Sequence, residues 1–84
     1  MTIDIKMPSL RPEMKSAVLC EWKVKAGETV KAGEIIFEIE TDKVVNQIEA
    51  AADMEIVELC VEEGDEIEVG AVIARAEVDE YSIN

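Results

Sequence analysis

One residue offers chemistry that its neighbours do not explain. Lys43 stands within Ile39-Glu40-Thr41-Asp42-Lys43-Val44-Val45, with Ile35, Ile36, Phe37 and Ile39 before it and Val44, Val45 and Ile48 after it. Both apolar runs read as short β-strands, because β-branched and aromatic residues dominate them. The point between them holds Asp-Lys, where a two-residue hairpin ordinarily shows Asn-Gly or Asp-Gly. A lysine in a turn is ordinarily a solvated charge. At the tip of an apolar hairpin its amine is also reachable by another protein, and once deprotonated it is a nucleophile toward activated acyl groups. Asp42 is suited to turn chemistry, since its carboxylate bonds backbone amides. Together with Glu40 it also frames the lysine with negative charge that another protein can read. Thr41 fits strand propensity better than chemistry.

Little else in the chain could react. There is no histidine, the commonest general base and the commonest metal ligand. No nucleophile–base pairing and no phosphate loop is present, so an enzyme with its own active site is not expected, nor is a metal site. Cys20 and Cys60 lack metal-ligand spacing and read as reduced thiols of an intracellular protein. Trp22 and the methionines Met7, Met14 and Met54 read as packing residues. The net charge of −12 excludes a nucleic-acid partner and favours partners with basic docking surfaces. Most of the acids read as a solvated exterior. The first residues contain no apolar run of signal-peptide or membrane-spanning length, so no membrane association is expected.

The elements that position Lys43 come from a repeat. Val24-x-x-Gly27-x-x-Val30-x-x-Gly33-x-x-Ile36 recurs 37 residues later as Val61-x-x-Gly64-x-x-Ile67-x-x-Gly70-x-x-Ile73. The same shift carries Leu19 to Ile56 and Trp22 to Leu59. Each half runs strand, glycine turn, short strand, glycine turn, strand. Ala26-Gly27-Glu28 and Glu63-Gly64-Asp65 read as tight turns needing positive φ. Ile3 to Met7 and Lys23 to Lys25 alternate as half-buried strands do. No stretch has helical period over a sufficient length. The expected fold is therefore all-β, a flattened sandwich or barrel of two facing sheets with pseudo-two-fold symmetry. Lys43 falls at the junction of the two repeats. The symmetry-related junction is the pair of chain termini, expected close together and at the far end of the domain.

Met7-Pro8-Ser9-Leu10, Met14, Trp22, Gly27, Gly33, Glu40-Thr41-Asp42-Lys43, Glu49-Ala50, Gly64-Asp65 and Gly70 together resemble the lipoyl domains of 2-oxo acid dehydrogenase complexes. The resemblance covers roughly residues 3–77. Biotin carrier domains share the repeat but resemble one another in a methionine on each side of the lysine, where this chain has Asp42 and Val44. Lipoyl domains often have Gly where this chain has Ala17 and Met54, which the repeat relates to each other; that departure questions the local backbone at both sites.

The resemblance implies a barrel-sandwich hybrid of two four-stranded antiparallel sheets with Lys43 in an exposed turn. It implies lipoate amide-linked to Lys43 as N6-lipoyllysine, with Asp42 and Glu40 as recognition features. The implied role is a swinging arm that moves acyl groups and electrons in a 2-oxo acid (or acetoin) dehydrogenase complex. The implied partners are a lipoate ligase or lipoyl transferase, a thiamine-dependent dehydrogenase, an acyltransferase catalytic domain and a dihydrolipoamide dehydrogenase. Loop 9–16 would lie near the turn and help the dehydrogenase recognise the domain, while the ligase reads the turn alone. The carrier domain is expected over residues 1–78, with a flexible tail at 79–84. It is expected to be monomeric in isolation and cytoplasmic, or in the mitochondrial matrix of a eukaryote. It is either a piece of an acyltransferase subunit or a free-standing carrier. The other readings are a biotin carrier domain of a carboxylase and an unmodified β-sandwich interaction module.

Overall fold

A computed structural model describes residues 1–79. Eight strands follow one another: β1 Thr2–Lys6, β2 Ser16–Trp22, β3 Thr29–Val30, β4 Ile35–Thr41, β5 Val44–Glu49, β6 Met54–Leu59, β7 Glu66–Glu68 and β8 Val72–Glu77. They form two four-stranded antiparallel sheets, ordered β5-β4-β2-β7 and β1-β8-β6-β3. The expected all-β fold is the one observed. The expected tail lies, from residue 80 on, outside the described residues.

The two sheets are the two repeats interleaved. A shift of one repeat turns β2, β3 and β4 into β6, β7 and β8, and carries the first sheet's order onto the second's. The backbone hydrogen bonds repeat as well. Gly27 N–H donates to the Ile56 carbonyl at 2.6 Å, and Gly64 N–H to the Leu19 carbonyl at 2.7 Å. Lys23 N–H donates to the Ile36 carbonyl, and Cys60 N–H to that of Ile73, each at 2.9 Å. Gly27 and Gly64 both have φ of +94°, a conformation L side chains rarely adopt, which is why glycine stands there. Each turn is closed by the acid that follows its glycine. The Glu28 carboxylate accepts the Lys25 N–H and that of Asp65 accepts the Glu62 N–H. Part of the negative charge is thus turn chemistry, not merely a solvated exterior.

The core lies between the sheets. Phe37, Met7, Leu19, Ile39, Ile56 and Ile73 are fully buried, each contributing roughly 1.5–3 kcal/mol. Met14 and Met54 are buried too, as expected of packing residues. Ala17 and Met54 lie buried within β2 and β6, paired with Ile67 and Val30. Neither has a positive φ, so the absent glycines leave the strands undisturbed.

One expectation needs correction. Lys23 to Lys25 is not a strand, because β2 ends at Trp22 and the chain bends toward the Gly27 turn. The alternation reports burial only: Val24 is inside and its two lysines are outside. Trp22 packs against the core as expected, half-buried at its rim, where its indole N–H reaches the Val61 carbonyl at 3.1 Å. Its ring meets the fully buried Phe37 edge-on, centroids 5.5 Å apart.

The described ends meet in the second sheet. β1 pairs with β8, and the Met1 amine bonds both the Glu77 carboxylate and the Val78 carbonyl. From there β1 runs to Met7, which exchanges backbone bonds with Gly70 and Ala71. Val69 N–H in turn bonds the Lys15 carbonyl, beside the end of the first sheet that carries the hairpin tip. The whole of β1 therefore stands between the paired ends and Lys43, as the repeat symmetry requires.

Candidate functional site

β4 and β5 form a hairpin whose last paired residues are Thr41 and Val44. Only Asp42 and Lys43 lie between them, with φ of 49° and 65°. They are the only non-glycine residues among those described with positive φ. A two-residue loop with both positions left-handed is the type I′ signature, whose twist matches that of the flanking strands. The missing Asn-Gly therefore does not signal a looser turn. The tight turn is made with residues that resist it, at a cost of roughly 1–2 kcal/mol for each. An aspartate tolerates this conformation better than a lysine does.

Asp42 and Lys43 are exposed, and so are Val44 and Val45 after them. Glu40 is exposed on β4, opposite Val45, while Thr41 is half-buried. The Asp42 carboxylate accepts a charge-assisted hydrogen bond from the Arg11 guanidinium. This contact brings loop 9–16 against the turn. A shallow groove of about 400 Å³ runs beside it, lined by loop residues from Arg11 on, the start of β2, the hairpin tip and Glu66 of β7.

The loop is built, not slack. Ser9 Oγ donates to the Arg11 carbonyl at 2.9 Å, and that carbonyl also accepts the Met14 N–H at 3.2 Å. Leu10 N–H reaches the Met14 sulfur, and Met14 is buried. The structure thus brings Glu40, Asp42 and Lys43 together and adds Arg11, which sequence reasoning placed only within a loop. No local signal pairs Arg11 with Asp42; they are 31 residues apart.

The cysteines stand apart from this chemistry. Cys60 is exposed, whereas Cys20 is half-buried in β2. Burial, then the charges of Glu40 and Glu38, push the Cys20 thiol above its ordinary pKa, the opposite of an activated thiol. Among the described residues, no three His, Cys, Asp or Glu side chains converge as metal ligands do.

Residues 3–76 match the biotin/lipoyl family model, described as "Biotin-requiring enzyme". The dihydrolipoyllysine-residue acetyltransferase component of the pyruvate dehydrogenase complex of Zymomonas mobilis is 48% identical over 75 residues. That alignment covers 88% of this chain and only 17% of the relative. The solution structure of the lipoyl domain of the 2-oxoglutarate dehydrogenase complex from Azotobacter vinelandii superposes with a TM-score of 0.75 at 38% identity. It covers 90% of this chain and 96% of that domain. A single-chain, multi-domain long-chain acyl-CoA carboxylase contains a segment of the same fold, with a TM-score of 0.78 over 93% of this chain and 7% of its own. At 14% identity, that likeness speaks for the fold alone.

Proposed function

The chain belongs to the biotin/lipoyl attachment family, as a lipoyl-type carrier domain, and from that premise we propose that Lys43 is its attachment site. The observation that carries this reading is the left-handed two-residue turn that presents Lys43 at the apex of the β4–β5 hairpin. The residues present fit lipoate: the lysine is exposed, and its strands hold the amine at the tip. When attached, lipoate supplies a dithiolane for acyl and electron transfer.

The chain's own part is position and recognition. The hairpin fixes where the arm begins, Asp42 and Glu40 mark the turn, and loop 9–16 extends the readable surface through Arg11. The carrier unit is residues 1–78. The paired ends of β1 and β8 lie away from the Lys43 turn, so an arm there can visit several active sites. The partners proposed are a lipoate ligase or lipoyl transferase, a thiamine-dependent dehydrogenase, an acyltransferase catalytic domain and a dihydrolipoamide dehydrogenase. The setting is a 2-oxo acid dehydrogenase complex, in the cytoplasm or the mitochondrial matrix.

Intact-mass analysis after co-expression with both a lipoate ligase and a biotin ligase tests the attachment. A single lipoyl adduct is expected on the wild type and none on Lys43→Arg. A biotinyl adduct, or a lipoyl adduct on the variant, contradicts the reading. Reductive acylation by each purified thiamine-dependent dehydrogenase then identifies the parent complex.

A further inference from the structure

Lys43 follows the carboxylates of Glu40 and Asp42 in the chain, yet it forms no ion pair among the described residues. Its immediate neighbour Asp42 is held by Arg11 instead. The charged groups around this end are Arg11, Glu13 and Lys15 of the loop, Glu40 of β4, Asp42, and Glu66 of β7. Glu66 accepts the Ser16 hydroxyl, and of these carboxylates Asp42 is the one adjacent to Lys43 in the chain. Arg11 reaches it from an anchored base, since two hydrogen bonds end on its carbonyl and the buried Met14 pins the loop.

An amine is acylated only as the free base. A carboxylate paired with its ammonium favours the protonated form and covers the nitrogen. We propose that Arg11 is a positioning residue for Lys43: it holds the Asp42 carboxylate and so keeps it from capturing the adjacent ammonium, leaving the amine free to be acylated. The proposal rests on Lys43 being the attachment site. In the attachment step the neutral amine attacks the carbonyl carbon of an acyl-adenylate. The C–N bond forms, the C–O bond to the phosphate breaks, AMP departs with that electron pair, and the nitrogen gives up a proton.

Competitive labelling with acetic anhydride reads the amine without any enzyme; acetate is the leaving group. Wild type, R11Q, R11K and R11Q/D42N are compared between about pH 7 and 10, a range over which the fraction of free amine rises with pH. Mass spectrometry of the Lys43 peptide gives the extent of labelling, and circular dichroism checks the fold. Glu40 is constant in all four proteins and cancels. R11Q is expected to label about two- to fivefold more slowly near neutral pH, the range of an exposed ion pair, with its profile displaced to higher pH. R11K keeps most of the wild-type reactivity, and R11Q/D42N regains it because the competing carboxylate is gone. Lipoylation by the ligase should follow the same order. Unchanged labelling in R11Q, or no recovery in R11Q/D42N, overturns the proposal. So does a ligase rate that falls in both variants while labelling stays at the wild-type level, which would make Arg11 a ligase contact. Absence of lipoylation in every protein, with the labelling order intact, would refute the attachment reading and leave the role of Arg11 standing.

Discussion

At the scale of single residues, the hairpin tip is held against its own preference. Lys43 has φ of 65° without the freedom of glycine. Replacing it with glycine should relieve about 1–2 kcal/mol of left-handed strain. The added freedom of the unfolded chain takes back roughly 0.5–1 kcal/mol. Lys43→Gly is therefore expected to be more stable than wild type by up to about 1.5 kcal/mol in urea denaturation, while losing modification entirely. Lys43→Arg should leave stability unchanged. A glycine variant no more stable than wild type would mean that the turn is not strained. The two thiols make a second case. Cys60 is exposed, and Cys20 is half-buried with its thiol pKa raised, so alkylation near pH 8 should modify Cys60 first. Equal rates, followed by peptide mass spectrometry, would contradict the placement of Cys20 in β2.

At the scale of elements, the repeat makes paired predictions. Gly27 and Gly64 share a φ of +94° and donate to symmetry-related carbonyls. A Cβ at either would meet nothing within 4 Å, so substitution costs backbone strain and not collision. Gly27→Ala and Gly64→Ala should each cost about 1–2 kcal/mol. For a domain of this size that lowers Tm by roughly 4–8 °C for each kcal/mol. The two losses should agree within about 0.5 kcal/mol if the halves are equivalent in energy as well as in shape. The hairpin has its own test. Exchanging Asp42 and Lys43 keeps composition but moves the amine one place along the turn, which redirects the side chain. Lipoylation is expected to fall steeply; a normal rate would show that the ligase reads a flexible segment.

For the whole molecule, charge and tethering govern encounters. The domain carries a net charge of −12, and its partners are proposed to present basic surfaces. Reductive acylation of the lipoylated domain should slow as salt rises, since rim charges act mainly on association and are screened beyond about 10 Å at 0.1 M. A salt-independent rate would remove electrostatic steering from the account. Tethering raises the arm's effective concentration at every site it can reach, so it cannot itself select a partner. Selection must lie in the protein surface at the Lys43 end. The resemblance to lipoyl domains implies a division of that surface, a turn for the ligase and a turn plus loop for the dehydrogenase. The Arg11–Asp42 contact joins the two. A variant that keeps Arg11 but carries Glu13→Gln and Lys15→Gln separates them better. It should slow reductive acylation severalfold and leave lipoylation unchanged, measured on the same preparation.

What was legible from residue order was whatever local chemistry repeats. Gly27 and Gly64 announced positive φ, apolar alternation announced half-buried strands, and the constant offset announced two equivalent halves with Lys43 at their junction. The adjacency of β1 and the end of β8 followed from symmetry alone. These signals survive because backbone sterics and side-chain period act within a few residues. Other features needed the folded chain. Leu19 to Glu21 and Ile56 to Glu58 are matched irregularities in strand register, invisible in residue type because each arises from pairing with a distant strand. Val24 is buried without belonging to a strand, so alternation and hydrogen bonding part company there. Arg11 meets Asp42 only because the Met14-anchored loop is carried to the tip of a hairpin formed elsewhere in the chain. An ion pair between exposed side chains leaves no pattern in sequence; it depends on where two separately folded segments come to rest.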